Sequence, residues 1–363
     1  MNPPDVVPKE IGLAKGTPPI PAVRRTRDVS DLLRPPLIPD GKGRRDWAGD
    51  LFYACCVAFT AVGLIALVVL IGTLVWKSWG WLDWQFLTSY DSPKPKMAGI
   101  LAGVWGSLWL MLLTGLFSIP IGIGAALYLE EYAQGTRLTR FIQLNLANLA
   151  GVPSIVYGIL GLTVFARNLS LFGTEAKTYT ISLFWHPLHV SIPFGATILT
   201  GALTLSLLVL PTVIITTQEA LRAVPSSIRH ASYALGATRW QTIWRQVLPA
   251  AVPGVLTGVI LALSRAIGET APLVMLGIPT YLSSCPGDIE SPTQLVSQPG
   301  KVLDVPFDRG SAMPLIIFNW ITQPKREFQN VAAAGILVLM GLLLVMNGIA
   351  IVIRQRFQQK IRW

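Results

Sequence analysis

Apolar residues in this chain gather into six long runs, roughly residues 51–76, 98–129, 142–166, 195–217, 250–279 and 330–353, separated by polar stretches. Each run reaches about 18 residues or more, enough for a helix to cross a hydrocarbon core about 30 Å thick. The pattern predicts an all-α membrane protein with six transmembrane helices. Residues 1–46 carry nine prolines and no hydrophobic periodicity, so they are expected to form a disordered cytoplasmic tail ahead of a membrane domain at 47–363. The first run is too long and too far from the N-terminus for a cleavable signal, and is expected to stay as an anchor.

Composition supports this reading, since the 363 residues are 52% hydrophobic and only 13% charged, against about 25% charged in soluble domains. Basic residues set the orientation, because positive loops are retained on the cytoplasmic side. With both termini inside, the tails and the loops at 130–141 and 218–249 hold 19 Lys and Arg, against 9 in the other three loops. Those inner segments also hold 10 acids, so the net charge of +10 is an ordinary topology signal, and a nucleic-acid partner is not expected. Cys55 and Cys56 lie in the first run and Cys285 in an outer loop, which forms neither a disulfide framework nor a metal motif.

Local irregularities mark where the runs do more than span. Trp76, Trp79, Trp81 and Trp84 form an aromatic belt at the outer end of the first run. Gly99 with Gly103, and Gly254 with Gly258, are small-residue pairs that let helices approach closely. In NLAGVPSIVYG, Gly151 and Pro153 should bend or break the third helix, which membranes tolerate mainly against protein or a water-filled cavity. His186 and His189 have Pro187 between them and no acid or Cys nearby, a poor metal site. The proline-rich stretch 280–328 is expected to be mostly loop, with a short interfacial helix at SAMPLIIFNW.

The longest inner loop, 218–249, is itself patterned. Pro225 with Ser226 and Ser227 starts a short helix, Gly236 ends it, and Thr238 caps a second. Ile228, Ala231 and Leu235 make one apolar stripe; Trp240, Ile243, Trp244 and Val247 make another, with Arg239 and Arg245 off it. Such a pair either rests on the bilayer or docks into a groove on a separate protein. Ala231, Gly236, Leu248 and Pro249, at this spacing, resemble the conserved cytoplasmic loop of ABC-importer permeases. Here His230 occupies the usual Glu position and Ser232 replaces the second Ala. NLAGVPSIVYGILGL, the stretch from YALGATRWQ to SRAIGETAPL and the ending NGIAIVIRQRF narrow the resemblance to the phosphate permeases of the PstA type, and ETAPL sets the chain apart from the sister PstC type.

That resemblance implies a set of partners: a homologous PstC-like permease, PstB-like ATPase subunits that seat the loop around Arg229, His230, Ala231, Ser232, Gly236, Leu248 and Pro249, and an extracytoplasmic PstS-like phosphate-binding protein. It implies a bacterial inner-membrane location. The chain has no GxxxxGK[ST] motif, so it should bind no cofactor itself, with ATP and Mg used by the partner ATPase.

The segment SRAIGET places Arg265 and Glu269 inside a run otherwise free of charge. Arg265 lies fifteen residues past Ala250, about 22 Å along a helix, where an ionised side chain costs at least roughly 2.5–3.5 kcal/mol. At i+4, Glu269 is its natural partner. The pair either neutralises itself in dry packing or faces a path and handles an anion, guanidinium binding phosphate oxygens and the carboxylate accepting a P–OH. The resemblance implies the second and extends the path to Thr270. Other oxyanions (sulfate, molybdate, phosphonate) and a self-sufficient transporter or channel stay open at this point.

Overall fold

A computed structural model describes residues 47–133, 135–167, 177–183, 186–192, 194–288, 294 and 299–359; the tail at 1–46 lies outside them. The chain divides into two compact units, residues 1–65 and 66–363. The described part of the first is helical, with Phe52, Phe59 and Val62 exposed, as in an element that faces lipid. It belongs to α1 (Trp47–Ser78).

In the second unit α2 (Trp84–Thr88) precedes α3 (Leu101–Leu127), which runs on through a π-helical turn at Tyr128–Tyr132. Next come α4 (Arg137–Ala150) and α5 (Ser154–Gly161), the latter extended by a π-helical stretch at Leu162–Arg167. Strands β1 (Lys177–Leu183) and β2 (His186–Ile192) pair antiparallel, Lys177 opposite Ile192 and Leu183 opposite His186. This hairpin is an addition to the helical pattern; its alternation is too short to stand out between apolar runs. Then follow α6 (Ile198–Arg222), α7 (Ser226–Ala234), α8 (Arg239–Thr242), α9 (Leu248–Ile267), α10 (Ala271–Met275), α11 (Pro299–Asp304), α12 (Met313–Thr322) and α13 (Glu327–Gln359). Five helical segments are long and apolar enough to cross a membrane, or six if the bent pair α4 and α5 counts as one span.

The core is the packing of α6 between α3 and α9, and small residues make it possible. A side chain at Gly122 would strike Val213, one at Gly254 would strike Ala220, and one at Gly258 would strike Thr216. Hydroxyls cross the α3–α6 contact, Ser206 donating to the carbonyl of Thr114 at 3.2 Å and Thr114 to that of Ala202 at 3.4 Å. Gly103 likewise admits Ile316, and Gly99 the backbone of Ser89.

The short helix expected in SAMPLIIFNW forms, and one side of it enters the core. In α12, Met313, Leu315, Ile316 and Trp320 are all at most 1% exposed, with Trp320 stacked obliquely on Phe86 at 5.8 Å and donating to Asp91 at 2.8 Å. A helix of ten residues is too short to span, and its inner side is buried against α3 and α13 while Phe318 and Ile321 stay half exposed.

Candidate functional site

The apolar run at 250–279 does not form one continuous helix. It stops at Ile267: Gly268 and Glu269 donate back to the carbonyls of Arg265 and Ala266, at 3.1 and 3.2 Å, and helix resumes only at Ala271. Gly268 is a weak helix former, and Pro272 could neither donate to nor fit against the preceding turn of an unbroken helix. SRAIGET therefore sits on a helix break, and Thr270 is the half-exposed residue that opens α10 without a side-chain cap.

At this break Arg265 Nε lies 3.4 Å from Glu269 Oε1, with the side chains 54% and 21% exposed. No other protein acceptor engages the Arg265 guanidinium among the described residues. It is an open cation with a carboxylate at one edge, free to present its terminal N–H pair to an anion. Depth follows from α13, which runs antiparallel to α9: Ser264 bonds Asn347, and Arg354 bonds Thr257 at 3.2 Å. The apolar run of α13 ends at Ile353, so Thr257 marks the headgroup level and Arg265, eight residues on, lies about 12 Å deeper.

The second break meets the first. Helices α4 and α5 are bent by 104° across residues 151–153, where Gly151 closes α4 and Pro153 precedes α5. Tyr157, 7% exposed, donates to the carbonyl of Leu149 at 2.8 Å and so laces the bend. A side chain at Gly158 would run into Pro272, so α5 lies directly on α10. The pattern did not single out Tyr157; its place four residues past a membrane proline was the available signal.

In the loop, α7 and α8 meet at Gly236, whose φ of 82° suits glycine. Thr238 and Gln241 form a reciprocal capping box, and Ser232 bonds Thr242 at 2.9 Å. The second helix is not a separate interfacial piece: α8 continues through a π-helical turn at Ile243–Val247 straight into α9. Its apolar stripe splits accordingly, Ile243 and Val247 being buried while Trp240 and Trp244 stack at 5.5 Å with more than half of each exposed. Leu235 is 89% exposed beside a depression of about 570 Å³ lined in part by Ala231, Ser232, Gly236 and Arg245. His230 is exposed, Leu248 half-buried and Pro249 exposed. Arg229 is turned inward instead, bonding Glu131 at 2.7 Å and the carbonyls of Val224 and Leu221 at 2.8 and 2.9 Å.

The sequence from 118 to 362 matches the family model of the binding-protein-dependent transport system inner membrane component. The chain belongs to that family. This permease is a multi-pass inner-membrane protein and a translocation subunit of an ABC transporter, whose ATPase is a separate subunit. It is 31% identical over 271 residues to the phosphate transport system permease protein PstA 1 of Mycobacterium tuberculosis, covering 73% of this chain and 74% of that one. It is 32% identical over 263 residues to PstC of Mesorhizobium japonicum, covering 69% and 75%. The permease spans about two thirds to three quarters of the length of such relatives. In fold it is similar to a chain of a bacterial ABC transporter involved in the import of the acidic polysaccharide alginate, with a TM-score of 0.54 at 17% identity, covering 86% of this chain and 96% of that one.

Proposed function

We propose that this permease is one membrane half of an ATP-driven importer of inorganic phosphate. In this reading a second, homologous permease of the PstC type completes the pathway, PstB-like ATPases seat on the 218–249 loop, and a PstS-like protein delivers phosphate from outside. Both termini and the loop face the cytoplasm, in keeping with the excess of Lys and Arg there. Identity near 30% to phosphate permeases of both PstA and PstC kinds supports the substrate class without separating the two types; the ETAPL ending favours the PstA type.

One observation carries the reading: Arg265, at a helix break deep in the membrane, is 54% exposed rather than sealed in packing. A buried pair would serve stability poorly, whereas an accessible guanidinium lowers the barrier to an oxyanion. Glu269 repels a fully deprotonated oxyanion and accepts the P–OH of monohydrogen phosphate, a proton that sulfate lacks. Thr270, next in the chain, supplies a neutral hydroxyl at the same break. The exposed face of the loop, with Ala231, Ser232 and Gly236 around its depression, takes the ATPase, while Arg229 holds that face in shape.

The test uses the assembled importer in vesicles, with uptake and ATP hydrolysis measured separately. Arg265→Lys keeps the charge and loses the planar fork; losing one charge-assisted bond predicts uptake lowered about tenfold or more, with assembly intact. Glu269→Gln should let sulfate compete better against phosphate. Unchanged uptake in both variants would reduce the pair to a structural role, and stronger competition by sulfate, molybdate or phosphonate in the wild type would reassign the substrate.

A further inference from the structure

The packing of α13 on α9 leaves a guanidinium with an unfilled bond. Arg354 Nη1 donates to Thr257, but its Nε is buried without an acceptor, and no carboxylate pairs with Arg354 among the described residues. A buried N–H with nothing in the chain to receive its hydrogen is a liability, while the side chain as a whole stays partly exposed, so the guanidinium can still meet an acceptor outside the chain. Between the same two helices lies an apolar cleft of about 140 Å³ walled by Leu256, Val259, Ile260, Met346, Ala350 and Ile353, the last three of these on α13 and Ile353 the residue just before Arg354.

Two features say what fits there. Arg354 follows Ile353 at the end of an apolar run, with Arg356 two residues on, which is the depth of headgroup phosphates. The cleft reaches the level of Ser264 and Ile267 but follows the face of α9 that carries Leu256, Ile260, Leu263 and Ile267, about 140–180° round from Arg265. A ligand of this site needs an anionic head for the guanidinium and a hydrocarbon tail for the cleft. We propose that Arg354 and the α9–α13 cleft bind an anionic phospholipid, its phosphate on the guanidinium and part of one acyl chain between the helices. The proposal rests on membrane residence alone and is independent of the transported solute.

The assembled importer, stripped of lipid in detergent, is titrated with phosphatidylglycerol, phosphatidylcholine or inorganic phosphate, with retained lipid counted by native mass spectrometry and unfolding temperature followed in parallel. Phosphatidylglycerol should be retained about five- to tenfold better than phosphatidylcholine and should raise the unfolding temperature. Arg354→Gln should remove one tightly held anionic lipid per copy, and Ala350→Trp, which fills the cleft and leaves the charge, should weaken retention of both lipids at this site. Equal retention of the two lipids by the wild type, or full retention by Arg354→Gln, overturns the proposal. So does stabilisation by inorganic phosphate alone that depends on Arg354 and is indifferent to Ala350→Trp, since the site would then be one for free phosphate. Should Arg354→Gln fail to assemble, unchanged phosphatidylglycerol retention by Ala350→Trp is the overturning result.

Discussion

Arg229 and Arg265 are both arginines with a carboxylate close by, yet only one is open. Arg229 makes two bonds to Glu131 and two to carbonyls at the end of α6, and the pair is only 19% and 9% exposed. Glu131→Gln should therefore destabilise the protein by about 1–3 kcal/mol, visible as a lower unfolding temperature, whereas Glu269→Gln should leave that temperature nearly unchanged. Asp91 gives a pH-dependent counterpart. Burial lifts its carboxyl above the ordinary value of 3.8, with the Trp320 hydrogen bond opposing. The folded state thus favours the protonated form, a contribution fully present below about pH 3.9 and lost as pH rises through the raised folded value. Asp91→Asn, neutral throughout, should gain unfolding temperature relative to wild type as pH rises above about 4; a constant difference between the two proteins would contradict this. The Arg265–Glu269 pair was legible in the sequence because i,i+4 is a local relation. The Arg229–Glu131 pair was not, because 98 residues separate the partners and nothing local joins them.

At the scale of elements, apolar length located the spans, and proline with glycine located the bend at 151–153. The interruption after Ile267 was hidden because Gly268 and Pro272 stand inside one long apolar run whose only charges are Arg265 and Glu269, and hydropathy does not register a missing backbone bond. Nor could periodicity tell how much of α12 is buried, since a short, mostly apolar helix reads alike at an interface and in a core. The contact between the two breaks is the sharpest element-level claim. In Gly158→Ala the new methyl would sit 2.7 Å from the Pro272 Cα and 2.9 Å from its carbonyl oxygen, backbone atoms that cannot rotate aside. The expected loss is about 1–3 kcal/mol, together with reduced uptake at normal expression, because α5 would be prised from the helix that follows Arg265. Uptake and unfolding temperature measured on the same preparation check both parts.

For the whole molecule, membrane residence and helical class followed from composition and run length alone, and the family from a few motifs. Orientation rests on the charge of the loops, and it can be measured. With Cys55, Cys56 and Cys285 replaced by Ser, a cysteine at exposed His230 should react with an impermeant thiol reagent only in inverted vesicles, and one at Leu303 only in intact cells. The opposite pattern would put the loop outside and end its assignment to an ATPase.

The uninterrupted passage from α8 through the π-helical turn into α9 has a mechanical meaning. From Arg239 to Arg265 the chain is one continuous helical rod about 39 Å long, with the exposed loop at one end and the accessible guanidinium at the other. If the rod pivots at its loop end, a tilt of about 10° swings the far tip through roughly 7 Å, more than the width of a hydrated anion's contact. A small tilt imposed at the surface is thus geared up into a large stroke at depth, with no relay of intermediate side chains required.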